Sequence, residues 1–185
     1  MITTEQETAI RDVLATMPTL AVGIGTKEKA CSVAALNLAL TGTLTDAVPD
    51  CMSRVIGRWI IRVQDRMPAT IRDSRAWRDL LVLSAGTGRE REAKRLALVM
   101  AWMWEALALV QPRAADAAAA AYAAASADAD AYAAAYASAS AYADAAAYAD
   151  ADADASEYAW TTIDPVGLLR RLVAVTDERA LAVQP

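Results

Sequence analysis

The sequence predicts an all-α protein with a helical N-terminal half, an alanine-rich helical layer and a C-terminal helix that packs back. Three observations lead there. The stretch Ala114 to Trp160 is dominated by alanine and contains no Gly, Pro or Asn. The first 112 residues repeat apolar side chains at helical spacing between Pro and Gly stops. The segment after Asp164-Pro165 shows that spacing once more. The expected divisions are an α-helical domain over 1–112, the tract over 113–160 and the returning helix over 161–185.

Within the tract every odd position from Ala115 to Ala155 is alanine, and the even positions from Ala114 to Tyr158 hold only Ala, Asp, Ser or Tyr. A period of two suits a strand with one bare face, as in silk-like sheets. Alanine, however, is the best helix former, and both Ala and Asp are depleted in strands. With 28 Ala among residues 114–159, helix is the preferred reading and the silk-like sheet its competitor. The rhythm itself needs no structural cause. Ala, Asp, Ser and Tyr share codons differing in the first two bases, so a drifted six-base repeat generates it. On one straight helix Tyr122, Tyr132, Tyr136, Tyr142, Tyr148 and Tyr158 fall at roughly 0, 280, 320, 200, 80 and 0°, which defines no single stripe. Small residues let helices approach closely. Tyr122, Tyr132, Tyr136, Tyr142 and Tyr148 are therefore the expected interaction surface, and a homo-oligomer formed through the tract stays open.

Taken in order, Thr4 and Glu7 suggest a capping box for a first helix with Ile10, Val13, Leu14 and Met17 on its apolar face, ended by Pro18. Leu20 to Gly25 reads as a short extended connector. Lys27 to Leu40 reads as an apolar helix closed by Gly42. Pro49 suits the start of a helix running to about Arg66, before Pro68. Ser74 to Ser84 is the next helix, capped by Asp73 or Ser74. After Ala85-Gly86-Thr87-Gly88 a long helix covers Arg89 to Gln111, its apolar middle Leu96 to Trp104 marking it as the central buried helix. Val166, Leu168, Leu169, Leu172, Val173 and Val175 give the last helix a core face.

The chain contains no histidine, which removes Ser-His-Asp and Cys-His catalysis and nearly every common zinc site. Cys31 and Cys51 lack CxxC spacing and read as buried thiols of a reducing compartment. No catalytic residue, metal or cofactor is expected, and the chain reads as non-enzymatic. The opening is polar and lacks the pattern of a secretory signal. The longest apolar run, Leu96 to Val110, is interrupted by Glu105 and falls short of a bilayer span. A cytoplasmic location without membrane contact is expected.

Charge is unevenly divided. The tract carries seven Asp plus Glu157 and no basic residue, a net of −8, whereas the remainder has 18 basic and 15 acidic residues. The most specific pattern is Arg54, Arg58, Arg62 and Arg66, four arginines at i+4 spacing that drift only ~40° per step around a helix. Arg72, Arg75 and Arg78 follow. Three readings compete for the stripe: a solvated helix face, pairing with the acidic tract, or an anion site. In the last case Arg89 joins it, because Gly86-Thr87-Gly88-Arg89 precedes a helix start. That turn lacks the GK[ST] ending of a phosphate loop and has no preceding strand, so an inter-helix turn is its leading reading. Overall acidity argues against a broad nucleic-acid surface.

Ala34-Ala35-Leu36-Asn37-Leu38-Ala39-Leu40-Thr41-Gly42, Pro49-Asp50-Cys51-Met52-Ser53, Val55-Ile56-Gly57-Arg58-Trp59-Ile60 and Gly86-Thr87-Gly88-Arg89 together form a recognisable set. With the alanine tract and the closing Leu168-Leu169-Arg170-Arg171-Leu172, the chain resembles small alanine-repeat proteins of phage and prophage genomes. The resemblance implies a cytoplasmic, phage-associated protein and carries over no catalytic residues. The strict two-residue rhythm departs from those relatives, whose tracts vary more freely. The leading functional expectation is thus a non-enzymatic interaction protein, phage-derived and directed at a host protein. The alternatives are a nucleotide- or small-anion-sequestering protein using the arginine stripe, and ice binding by a flat alanine surface. The tract's lack of Thr and its irregular Asp and Tyr spacing weigh against the last.

Overall fold

The computed structural model describes residues 2–110 and 160–175. Among the described residues the chain is all-α, with seven helices and no strand beyond an isolated bridge between Gly25 and Ala30. The helices are α1 (Thr4–Thr16), α2 (Ser32–Thr41), α3 (Arg54–Gln64), α4 (Ala69–Arg72), α5 (Arg75–Ser84), α6 (Glu92–Val110) and α7 (Pro165–Val173). The described residues fall into two compact units, one holding residues 2–92 with 173–175, the other 93–110 with 160–172. The three-part division expected from the sequence turns on residues 111–159, which lie outside the described residues.

In the first unit α2 packs against α1, α3 and α5. No charged residue lies between Lys29 and Asp46, so this helix has no side that demands water, and residues Ser32 to Asn37 are all buried. Its polar groups are satisfied inside. The Ser32 amide donates to Gln64 Oε1 at 2.8 Å, and the Ser32 hydroxyl accepts from Trp77 Nε1 at 3.1 Å. One buried line of hydrogen bonds therefore joins α3, α2 and α5. Trp77 also stacks at a tilt on Trp59, with ring centroids 6.0 Å apart. Asn37 Nδ2 donates to the carbonyls of Thr45 and Ala47 at 2.8 and 2.7 Å, which folds the connection after α2 back onto the helix.

Several helix limits differ from the sequence expectation, each for a local reason. The capping box of α1 is formed by Thr3 and Gln6, one residue earlier than Thr4 and Glu7, with both reciprocal bonds made. α2 starts at Ser32 rather than Lys27. Residues 25–30 form a tight turn closed by Thr26 N to Lys29 O, and the Cys31 thiol caps the helix by accepting from Ala34 N at 3.4 Å. Gly42 closes α2 in the left-handed conformation, in agreement with its place in the sequence. α3 begins after Ser53, not at Pro49, because residues 49–52 form a turn of their own. It ends at Gln64, since Pro68 disfavours helix at Met67 and the Arg72 guanidinium takes the Gln64 and Met67 carbonyls at 3.2 Å. The single turn α4 has no counterpart in the sequence expectation, while α5 starts after its Ser74 cap as expected.

The described residues of the second unit are 93–110 of α6 and the 160–172 segment. Val99, Met100, Ala101 and Trp102 are buried, but Leu96, Leu98, Met103 and Trp104 are only half-buried. The middle of α6 is therefore not buried all round, whereas α2 is buried on every side over Ser32–Asn37. Trp102 Nε1 donates to the Ile163 carbonyl, and buried Arg95 donates through Nε to Leu172 O at 3.3 Å. Leu168, Leu169 and Leu172 of α7 are fully buried. Asp164 starts α7 by accepting from the Gly167 amide at 2.8 Å; a Cβ at Gly167 would collide with that carboxylate.

Candidate interaction face on helix α3

The residues of α3 divide by their 3.6-residue period. Ile56, Trp59, Ile60 and Val63 are buried, while Arg54, Arg58 and Arg62 are exposed on the other side and Arg66 continues the exposed row just past the helix end. The spacing seen in the sequence thus places the four guanidinium groups along one solvent-facing row spanning about 18 Å at 1.5 Å per residue.

Several other arginines are engaged within the protein itself. Arg78 reaches the C-terminal end of α1, donating to the carbonyls of Leu14 at 2.7 Å, Met17 at 2.8 Å and Pro18 at 3.2 Å. Arg72 does the same for α3, and Arg95 for α7. A cation at a helix C-terminus satisfies carbonyls that have no partner in the helix and meets the negative end of its dipole. Arg11 pairs with Glu7 and Asp79, and Arg75 with Asp79. Among the described residues, Arg54, Arg58, Arg62 and Arg66 make no such ion pair.

Arg89 stands apart from that row. It is half-buried and pairs with exposed Asp50 at 2.7 Å. The Gly86–Arg89 segment is an inter-helix turn whose amides are used within the protein: Gly86 N to Leu83 O, Thr87 N to Ser84 O and Gly88 N to Cys51 O. The N-terminus of α3, the natural anion site nearby, already holds a carboxylate of the chain itself. Glu92 accepts from Arg54 N at 2.7 Å, Val55 N at 3.0 Å and the Ser53 hydroxyl at 2.9 Å. This contact is not legible in the sequence, because Glu92 lies 38 residues from Arg54 and reads as an ordinary first-turn acid of α6.

Both cysteines are free. Burial pushes the Cys31 and Cys51 thiols up from their ordinary value, so both stay protonated at neutral pH and are weak nucleophiles. Among the described residues no group of three or more Cys, Asp or Glu is gathered as a metal site requires. No helix among them is long and apolar enough to cross a membrane. Tyr122, Tyr132, Tyr136, Tyr142 and Tyr148 lie outside the described residues. No family model, curated protein or solved structure matches the chain.

Proposed function

We propose that the chain is a non-enzymatic interaction protein that engages an acidic partner protein through the arginine row of α3. The carrying observation is the contrast among its arginines. Arg72, Arg78 and Arg95 hold helix ends, whereas Arg54, Arg58 and Arg62 of α3 and Arg66 just past its end are exposed and have no carboxylate partner among the described residues. Repeated guanidinium groups recognise carboxylates through paired N–H donors. A phage-derived role directed at a host protein, in the cytoplasm, belongs to the same proposal.

The test reverses two charges. A polyglutamate peptide is titrated by calorimetry at low salt into the wild type and into R58E/R62E. The wild type is expected to bind with an affinity that falls as salt rises, since exposed ion pairs are screened. The variant is expected to lose at least tenfold in affinity while its stability stays within about 0.5–1 kcal/mol, as usual for exposed charges. Equal binding by both proteins contradicts the proposal. A stability loss above ~2 kcal/mol that salt reduces would make the row a structural element instead.

A further inference from the structure

Only three large apolar side chains are strongly exposed among the described residues, and two of them share one loop: Val22 at 60% and Ile24 at 44%. The loop is held firmly. Ala21 N donates to Ala30 O at 2.9 Å, Cys31 N to Ile24 O at 3.0 Å and Thr26 N to Lys29 O at 2.9 Å. Gly25 has φ +80, and a Cβ there would strike the Lys29 carbonyl, so this turn requires glycine. A fixed backbone thus presents two aliphatic side chains to water, the reverse of what burial favours.

The tip of that loop is fastened to the end of the arginine row. Gly23, between the two apolar residues, donates its amide to Asp65 Oδ1 at 3.0 Å. Asp65 follows Arg58 by seven residues and Arg62 by three, within roughly 20° and 60° of them around the helix. The apolar pair therefore sits at the C-terminal end of the same face that carries the guanidinium groups.

We infer that Val22 and Ile24 are the apolar anchor of the interaction face, and that its partner is an acidic amphipathic protein helix. Resting on the function proposed above, this names the kind of partner that face takes. Regular carboxylates on such a helix complement Arg54, Arg58, Arg62 and Arg66, and an apolar side chain near one end covers the exposed pair. Nucleic acid supplies the charge but gives aliphatic side chains little to cover them. An anionic bilayer offers no carboxylates at a regular spacing to match the four-residue arginine period.

The experiment uses the full chain, its V22S/I24S variant and R58E/R62E, with circular dichroism confirming that each is folded. The probes are a 20-residue helical peptide with Glu on one face and Leu on the other, polyglutamate of the same length, a 20-nucleotide single-stranded DNA and phosphatidylserine vesicles. The wild type is expected to bind the Glu/Leu peptide more tightly than polyglutamate. V22S/I24S is expected to lose about tenfold or more toward the Glu/Leu peptide, from two lost aliphatic contacts, and nothing toward polyglutamate. If V22S/I24S binds both peptides as the wild type does, the anchor is wrong while the arginine face stands. If R58E/R62E binds both as the wild type does, the underlying function fails as well. Tighter binding of DNA or of vesicles than of the Glu/Leu peptide overturns the partner assignment, as does a wild-type homodimer that R58E/R62E dissociates.

Discussion

Trp77→Ala is expected to destabilise the protein by about 3–5 kcal/mol, the usual cost of truncating a fully buried aromatic side chain. Trp77 is completely enclosed, packs on Trp59 and donates to the Ser32 hydroxyl at the centre of the α3–α2–α5 line. Truncation empties the space between α5 and α2 and leaves the buried Ser32 oxygen without that donor. Trp77→Phe keeps most of the ring volume and loses the donor, so a smaller loss of about 1–3 kcal/mol is expected. Urea unfolding followed by circular dichroism measures both. The midpoint should fall with the slope unchanged, because the surface exposed on unfolding is nearly the same. A loss below ~1 kcal/mol for Trp77→Ala would mean that this line does not organise the core.

The second large effect concerns Glu92. Its two oxygens accept three hydrogen bonds at the start of α3, from Ser53 Oγ, Arg54 N and Val55 N. Two of the donors are helix amides without intrahelical partners, and the helix dipole favours an acidic side chain there. Glu92→Ala is expected to cost about 2–3 kcal/mol, less than a fully buried pair because water reaches Arg54 N. Glu92→Gln retains one acceptor oxygen and should recover about half of the loss. If Glu92→Ala and Glu92→Gln are equally mild, below ~0.5 kcal/mol, the carboxylate is not what closes this helix end.

The gap between sequence and structure has physical causes that particular residues expose. The α5 start and the Gly42 stop are legible because their caps are local: Ser74 accepts from Trp77 N, and Gly42 adopts a positive φ. The α1 start differs by one residue because Thr3-Thr4-Glu5-Gln6-Glu7 offers two overlapping Thr-x-x-acid/amide frames, and spacing alone does not choose between them. The late starts of α2 and α3 depend on tertiary partners. Ser32 N is held by Gln64, and the α3 amides are held by Glu92. Such bonds join residues 32 and 38 apart. Pattern reading along the chain does not reach them.

The candidate face is half legible for the same reason. A four-residue arginine period survives folding unchanged, so the row can be read directly. That Arg78 belongs to a different class cannot, since its acceptors are the carbonyls of Leu14, Met17 and Pro18 some 60 residues away. Leu20 to Gly25 reads in the sequence as a plain connector. Its apolar residues carry no signal of exposure until Gly23 and Gly25 set the backbone and Asp65 fixes the tip.

The division of the arginines into helix-end holders and an exposed row, unpaired among the described residues, is tested most directly by the side-chain Nε–Hε signals in a nitrogen-15 NMR titration. Adding the polyglutamate peptide should shift the signals of Arg54, Arg58, Arg62 and Arg66 in a saturable, salt-sensitive way. Those of Arg72, Arg78 and Arg95 should stay in place, because their guanidinium groups are already engaged by helix carbonyls. Shifts spread equally over both sets, or confined to Arg72, Arg78 and Arg95, would contradict the account.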